Sequence, residues 1–188
     1  MRIARTFVLV ALTAVAPAAA LGQTHATDRG SILVGGQASF NSSKSDSDGR
    51  ESPRFNSLSL APRALLFVTP GFALGGQVLF GYSSSDDNST TAWGIGPEVA
   101  YYFGGAGRTT HPYLTASFQY VRSSDDDDNT QTGRTYGGGA GLLFLISSSV
   151  GIDAQAYIRR SDSSFSEIAT DFEQTAFGLA FGISAFVF

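Results

Sequence analysis

Four consecutive aspartates, Asp125, Asp126, Asp127 and Asp128, are the densest group of potential metal ligands in the chain. Carboxylate oxygens suit hard cations such as Ca²⁺ or Mg²⁺, and Asp86 and Asp87 add two more acids in another polar stretch. The run lacks the ligand spacing of a calcium-binding loop, so a solvated acidic loop is the plainer expectation and a metal site the weaker one. His25 and His111 are the two histidines. Neither is placed to activate a nucleophile, and His111, just before Pro112, reads as a turn residue. The chain is therefore expected to be no enzyme and to hold no cofactor. The third group is sparse: Arg63, Glu98, Asp153 and Arg159 are single charges set in otherwise uncharged stretches. Enclosed charges need partners, because an unpaired one costs several kcal/mol. These four are expected to form a polar network inside whatever structure encloses them.

The stretches that carry them alternate. In "SLSLAPRALLFV" the residues Leu58, Leu60, Ala64, Leu66 and Val68 share one parity, opposite Ser57, Ser59, Arg63 and Phe67. In "TAWGIGPEVAYYF" the stripe is Trp93, Ile95, Val99, Tyr101 and Phe103, opposite Gly94, Gly96, Glu98 and Ala100. "GSILVGGQASFN", "FALGGQVLFGY", "HPYLTASFQYV", "TYGGGAGLLFLIS", "VGIDAQAYIRR" and the terminal stretch from about Thr175 to Phe188 follow the same period of two. Period two is the signature of strands, and most of these stretches have the length of about 10 residues that a tilted strand needs to cross a bilayer. "APRALLF" (Ala61 to Phe67) and "GPEVAYY" (Gly96 to Tyr102) form a weak internal repeat at hairpin spacing.

The connectors alternate too. "NSSKSDSDGRESPR", "SSSDDNST", "SSDDDDNTQTG" and "SDSSFSEIATDFEQ" are long and polar, whereas "TPG" and "SSS" are tight and Gly104 to His111 is intermediate. Long loops at one end and short turns at the other describe an outer-membrane barrel. A soluble carrier barrel would carry charge outside and bulky apolar groups within. Here the second face holds Gly, Ser, Thr and Gln, so the apolar stripe must face hydrocarbon and the inside is expected to be small and polar. Phe40, Tyr82, Trp93, Phe103, Tyr120 and Tyr136 would supply the two interfacial belts. Gly75, Gly94, Gly96, Gly137, Gly139 and Gly141 fill no interior space, which raises the alternative of a narrow water-filled pore. Pro62 and Pro97 should bring bulges or weakened pairing. In the last strand Phe186 and Phe188 fall on the wrong parity, through either a bulge or a tip that turns into the barrel mouth.

The expected fold class is all-β, an eight-stranded antiparallel up-and-down transmembrane β-barrel over residues 23–188. Residues 1–22, with Arg2, Arg5, a short apolar middle and small residues at the exit, read as a cleaved signal peptide. No cysteine is present, and the formal charge of −4 gives no basis for nucleic-acid binding.

The strand pattern, "LAPRALLFVTPGFALGGQVLFGYS" (Leu60 to Ser83) and the terminal aromatic together resemble the small OmpA-like and OmpX-like outer-membrane barrels of Gram-negative bacteria. That resemblance implies a structural, envelope-integrity or surface-exposed role, with a pore or a loop-mediated adhesin or ligand binder as alternatives. It also implies outer-membrane lipid and lipopolysaccharide as surroundings and a monomer as the working state. By the same resemblance, Phe186 and Phe188 would form a signal read by the barrel-assembly machinery.

Overall fold

A strand with one oily face, in hydrocarbon, must pair both edges as well as hide its polar side, and a closed barrel does both. The computed structural model describes residues 25–43, 46–47, 50–51, 55–85, 88–105, 107–125, 130–164 and 171–188. Its strands are β1 (Ile32–Ser43), β2 (Asp46–Ser47), β3 (Arg50–Glu51), β4 (Phe55–Thr69), β5 (Phe72–Ser85), β6 (Asn88–Tyr102), β7 (Thr110–Asp125), β8 (Thr130–Leu145), β9 (Val150–Ser164) and β10 (Asp171–Val187). β1 and β4 to β10 close into an eight-stranded antiparallel barrel in sequence order, while β2 and β3 pair only with each other inside the first long connector. The expected leader, residues 1–22, lies outside the described residues. So do Asp86, Asp87, Asp126, Asp127 and Asp128, and Asp125 is the last residue of β7.

Exposure confirms which way the wall faces. Leu60, Phe80, Ile95, Leu114, Ile152 and Phe181 are all exposed, whereas Arg63, Gln77, Glu98 and Asp153 are buried. Phe40, Tyr82, Trp93, Tyr120 and Tyr136 lie toward the long connectors. Phe103 lies at the opposite end, edge-on to Tyr101 at a ring separation of 4.8 Å. The ladders run further toward the long connectors than the apolar alternation indicates, with β8 starting at Thr130 and β9 continuing to Ser164. These two extensions are built from Ser, Thr, Gln, Gly, Asp and Arg, so they carry no hydrophobic signal.

The prolines interrupt pairing without shifting it. The β4–β5 ladder passes from Leu60↔Phe80 to Arg63↔Gln77, and the β6–β7 ladder passes from Ile95↔Tyr120 to Glu98↔Ser117, each in unchanged register. On their other sides Pro62 pairs with Gly36 and Pro97 with Gly76. A proline has no N–H to donate, so one side of the strand loses a bond while the other keeps its partner. The one register shift in the β4–β5 ladder falls between Phe67 and Thr69, beside the short turn.

The lumen departs from the expected small, polar interior. Leu33, Leu65, Phe67, Ala73, Ala100, Tyr102, Tyr113, Leu143 and Phe186 form a buried apolar cluster at the short-turn end. Phe67 packs 5.4 Å from Tyr102 and 6.4 Å from Phe186, and Tyr102 packs 5.1 Å from Tyr113. Eight strands leave an interior just wide enough for side chains to fill. At this end they fill it with rings.

Phe186 turns inward without a bulge, because the β1–β10 ladder is regular from Ile32↔Val187 to Ala38↔Phe181. Phe188 packs, half-buried, against the same cluster. The segment preceding β1 closes the mouth. Gly30 N donates to Phe67 O at 2.8 Å, Gly71 N donates to Thr27 O at 2.8 Å, and Ala26 is buried in the cluster. His111 lies within β7 rather than in a turn. It points inward, 2% exposed, with Nε2 3.0 Å from Arg108 O.

Candidate functional site

Above the apolar plug, six strands each contribute one polar side chain to a common layer. Arg63 comes from β4, Glu98 from β6 and Asp153 from β9, and the first two each follow a proline at matching positions of the internal repeat. Arg63 Nη1 donates to Glu98 Oε1 at 3.1 Å, and Arg63 Nη2 lies 3.6 Å from Asp153 Oδ1. Asp153 Oδ1 also accepts from Gln37 Nε2 at 2.7 Å and from Tyr113 Oη at 3.0 Å, while Oδ2 accepts from Ser184 Oγ at 3.2 Å. The Arg63 guanidinium sits 5.8 Å from the Tyr113 ring centre.

All three charged groups are at most 5% exposed. Two carboxylates share one arginine, and hydrogen-bond donors from β1, β7 and β10 converge on Asp153. Removing one partner of such a set costs about 3–5 kcal/mol, because the charges left behind stay buried. The layer ties the barrel wall to itself across its axis.

Gln37, Tyr113 and Ser184 belong to this layer but carried no sequence signal of it beyond their parity. Arg159 stands at its loop-side edge, lining one small cavity together with Glu98. Its guanidinium stacks on Tyr157 at 4.4 Å, one level nearer the long connectors.

Arg159 separates two spaces. Below it, Gln37, Gln77, Glu98, Thr115 and Gln155 line a cavity of about 20 Å³, room for about one water. Above it a vestibule of about 510 Å³ is lined by the hydroxyls of Ser39, Ser57, Ser59, Thr135 and Ser161 among others.

The interior glycines do not open a path through the layer. A Cβ at Gly141 would lie 2.5 Å from Tyr113 Cζ, and one at Gly137 would lie 3.0 Å from Arg159 Cγ. Gly139 lies under Gln155, and Gly75 and Gly96 meet the backbones of β4 and β7. Glycine here makes room for a neighbour's side chain or backbone rather than for water.

The layer holds no nucleophile–base pair: Ser184 and Asp153 touch, but no histidine joins them. Among the described residues no three His, Cys, Asp or Glu side chains come together as a metal centre.

A closed eight-stranded wall, oily outside and charge-paired inside, is the architecture of small outer-membrane barrels. The outer membrane protein beta-barrel domain family matches residues 6–184. The chain belongs to this family. It is an integral β-barrel of the bacterial outer membrane, crossing the bilayer with strands. A search of curated proteins finds no match.

Solved outer-membrane barrels share the fold. Neisserial surface protein A superposes with a TM-score of 0.56 at 17% identity, covering 84% of this chain and 99% of that one. Escherichia coli outer membrane protein W gives 0.51 at 13% identity, covering 85% and 97%. The N-terminal barrel domain of Pseudomonas aeruginosa OprF gives 0.50 at 13% identity, covering 85% and 98%. At such identities the likeness is one of fold.

Proposed function

We propose that this outer-membrane barrel is a closed, non-catalytic envelope protein whose rigid wall holds four long loops at the cell surface. One observation carries the reading. From the Arg63–Glu98–Asp153 layer to Phe186 the lumen is packed with side chains rather than open. A permanent pore needs a continuous wet path, whereas this interior spends its space on ion pairs and aromatic contacts. The barrel works as a monomer on this reading, since β1 and β10 close the wall over Ile32–Ala38 and every other wall strand is paired on both sides. Its surroundings are outer-membrane lipid and lipopolysaccharide, and Phe186 and Phe188 are the segment that the barrel-assembly machinery grips before β10 zips onto β1.

Purified, heat-modifiable barrel reconstituted into planar bilayers tests this. The expected result is no conductance above the lipid baseline. Steady channel events from the wild-type protein would overturn the closed reading in favour of the pore.

The vestibule above Arg159 favours a second reading, in which the hydroxyl-lined mouth and the loops bind a surface ligand. Deleting the tip of the β7–β8 connector while the barrel still folds should abolish adhesion if that is its role. Unchanged adhesion would remove it.

A further inference from the structure

The wall is not zipped along its full height. β1 and β10 pair only from Ile32↔Val187 to Ala38↔Phe181. Above that rung β1 stays laddered to β4 as far as Ser43↔Phe55, and β10 to β9 as far as Asp171↔Ser164. Among the described residues, nothing pairs the two facing edges, residues 39–43 of β1 and 171–180 of β10. The loop-side half of the barrel therefore carries an open seam.

The outward side chains show the gap. Phe177 is 87% exposed and Phe40 70%, whereas Tyr82, Trp93, Tyr120 and Tyr136 of the same belt lie between 41% and 52%. A residue on a fully laddered strand has cross-strand neighbours on both sides. These two have them on one side only.

The vestibule reaches the outside through this seam. Its lining includes the outward Phe40, Phe177 and Leu179 beside the inward Ser39, Ala176 and Gly178. A cavity bounded by both faces of two facing strands passes between them. The inner side of the seam is clear, because Ala176 carries only a methyl group and Gly178 no side chain. The Tyr157 ring lies over Gly178, where an added Cβ would stand 2.8 Å from Tyr157 Cζ. On that ring rests the Arg159 guanidinium, which forms no ion pair with a carboxylate among the described residues. Below the seam the outer wall is hollow: Leu60, Pro62, Phe181 and Ile183 frame an outward groove of about 510 Å³ over Gly36.

These parts follow one another in space and change character on the way. A cation and a ring of hydroxyls stand inside, an apolar lip stands in the wall, and an apolar groove continues outside. Unpaired N–H and C=O groups at this depth need water or another partner. The vestibule brings water to their inner side, while Phe40, Phe177 and Leu179 screen them from hydrocarbon.

We propose that vestibule and seam together form a binding site for a single-chain amphiphilic carboxylic acid. Its carboxylate lies at Arg159, and its tail leaves between Phe40 and Phe177 to rest in the groove over Gly36. One cation suits one negative charge, and a slot between two strands suits one chain. A lipid with several chains meets neither condition. This site deepens the reading of the vestibule as a ligand pocket, on which it rests, by naming the ligand's class and a side entrance.

The test uses the full barrel in phosphatidylcholine vesicles at mildly alkaline pH, with heat modifiability verifying the fold of each variant. The probe is dodecanoate carrying a photoreactive diazirine at its tail end, and mass spectrometry maps the crosslinks. Wild type should be labelled at Phe40, Phe177, Phe181 and Ile183. Plain dodecanoate should compete, and dodecanol should not. R159Q removes one charge-assisted contact and should weaken labelling about tenfold. R122Q removes an exposed cation outside the wall and should match wild type. A176W fills the inner side of the seam and should abolish the label.

Labelling of Trp93 and Tyr120 as strong as that of Phe40 and Phe177 would overturn the site, since the probe would then report bilayer partition alone. So would full labelling of folded R159Q, or competition by dodecanol equal to that by dodecanoate. Labelling at Ser57 and Ser59 instead, retained in folded A176W, would overturn the side entrance and leave a ligand pocket filled from the loops. A wild type that takes up no probe at seam or vestibule would overturn the carboxylate site, and the ligand reading of the vestibule would then stand or fall with the loop deletion above.

Discussion

The two halves of the lumen obey the same alternation and do opposite things with it. At the short-turn end the inward positions are Leu33, Leu65, Phe67, Tyr102, Leu143 and Phe186, sealed by the segment before β1. At the loop end they include Ser39, Ser57, Ser59, Thr135 and Ser161 around an open vestibule. The Arg63 layer is the boundary. Half of the barrel behaves as a small globular protein with its core inside the wall. The other half behaves as a wet cup whose walls are held up by that core. Stability should therefore concentrate below the boundary, leaving the part above it free to vary.

The two lumenal arginines give the sharpest way to break that comparison, because they differ in partners rather than in chemistry. Arg63→Ala leaves Glu98 and Asp153 buried without their cation and should cost about 3–5 kcal/mol. Arg159→Ala removes a stacking contact with Tyr157 at 4.4 Å and should cost about 1 kcal/mol or less. Urea unfolding in micelles, followed through the single tryptophan Trp93, reads both. Equal losses would mean that the boundary has been drawn at the wrong level. Phe67→Ala, at the centre of the aromatic stack, should cost about 3–5 kcal/mol by the same assay. It is also the substitution most able to give the wild type's closed lumen a measurable conductance.

How far this was legible in sequence follows from the same contrast. Period two located all eight wall strands and, except at the end of the last one, the direction each faces, because lipid contact demands an uninterrupted apolar stripe. The plug was visible too, in a signal that alternation alone passes over. Apolar residues become consecutive at the short-turn ends, in Leu65-Leu66-Phe67, Tyr101-Tyr102-Phe103 and Leu142-Leu143-Phe144-Leu145. A strand buried on both faces reads as a continuous run, and those runs mark where the inside becomes oily. Arg63, Glu98 and Asp153 could be grouped from parity and solitude. Placing Arg159 at the edge of that group needed the barrel's stagger, which a linear pattern does not contain. The strand extensions made of Ser and Thr were hidden for a related reason, since neither of their faces meets hydrocarbon.

Glycine offers a gentler test of the boundary. Gly141 lies where the Tyr113 ring must pass, and an added Cβ would stand 2.5 Å from Cζ. Gly141→Ala should therefore overpack the layer and cost about 1–3 kcal/mol. Gly105, in the β6–β7 connector, has nothing within 4 Å of an added Cβ, so Gly105→Ala should leave unfolding unchanged. A destabilised Gly105→Ala with an unaffected Gly141→Ala would show that the interior yields more easily than the turn.

The smallest expected effect lies in the cup. Thr135 Oγ1 and Ser161 Oγ are 2.9 Å apart across β8 and β9, half-buried at the vestibule wall. A bond between neutral groups contributes about 0.5–1.5 kcal/mol net. Water can reach the vestibule and replace it, so Thr135→Ala should fall at or below the bottom of that range. If it instead approached the cost of Phe67→Ala, the hydroxyls would be forming a second core. The vestibule would then hold the barrel together as firmly as the plug does, and its freedom to accept loop variation or a ligand would be gone.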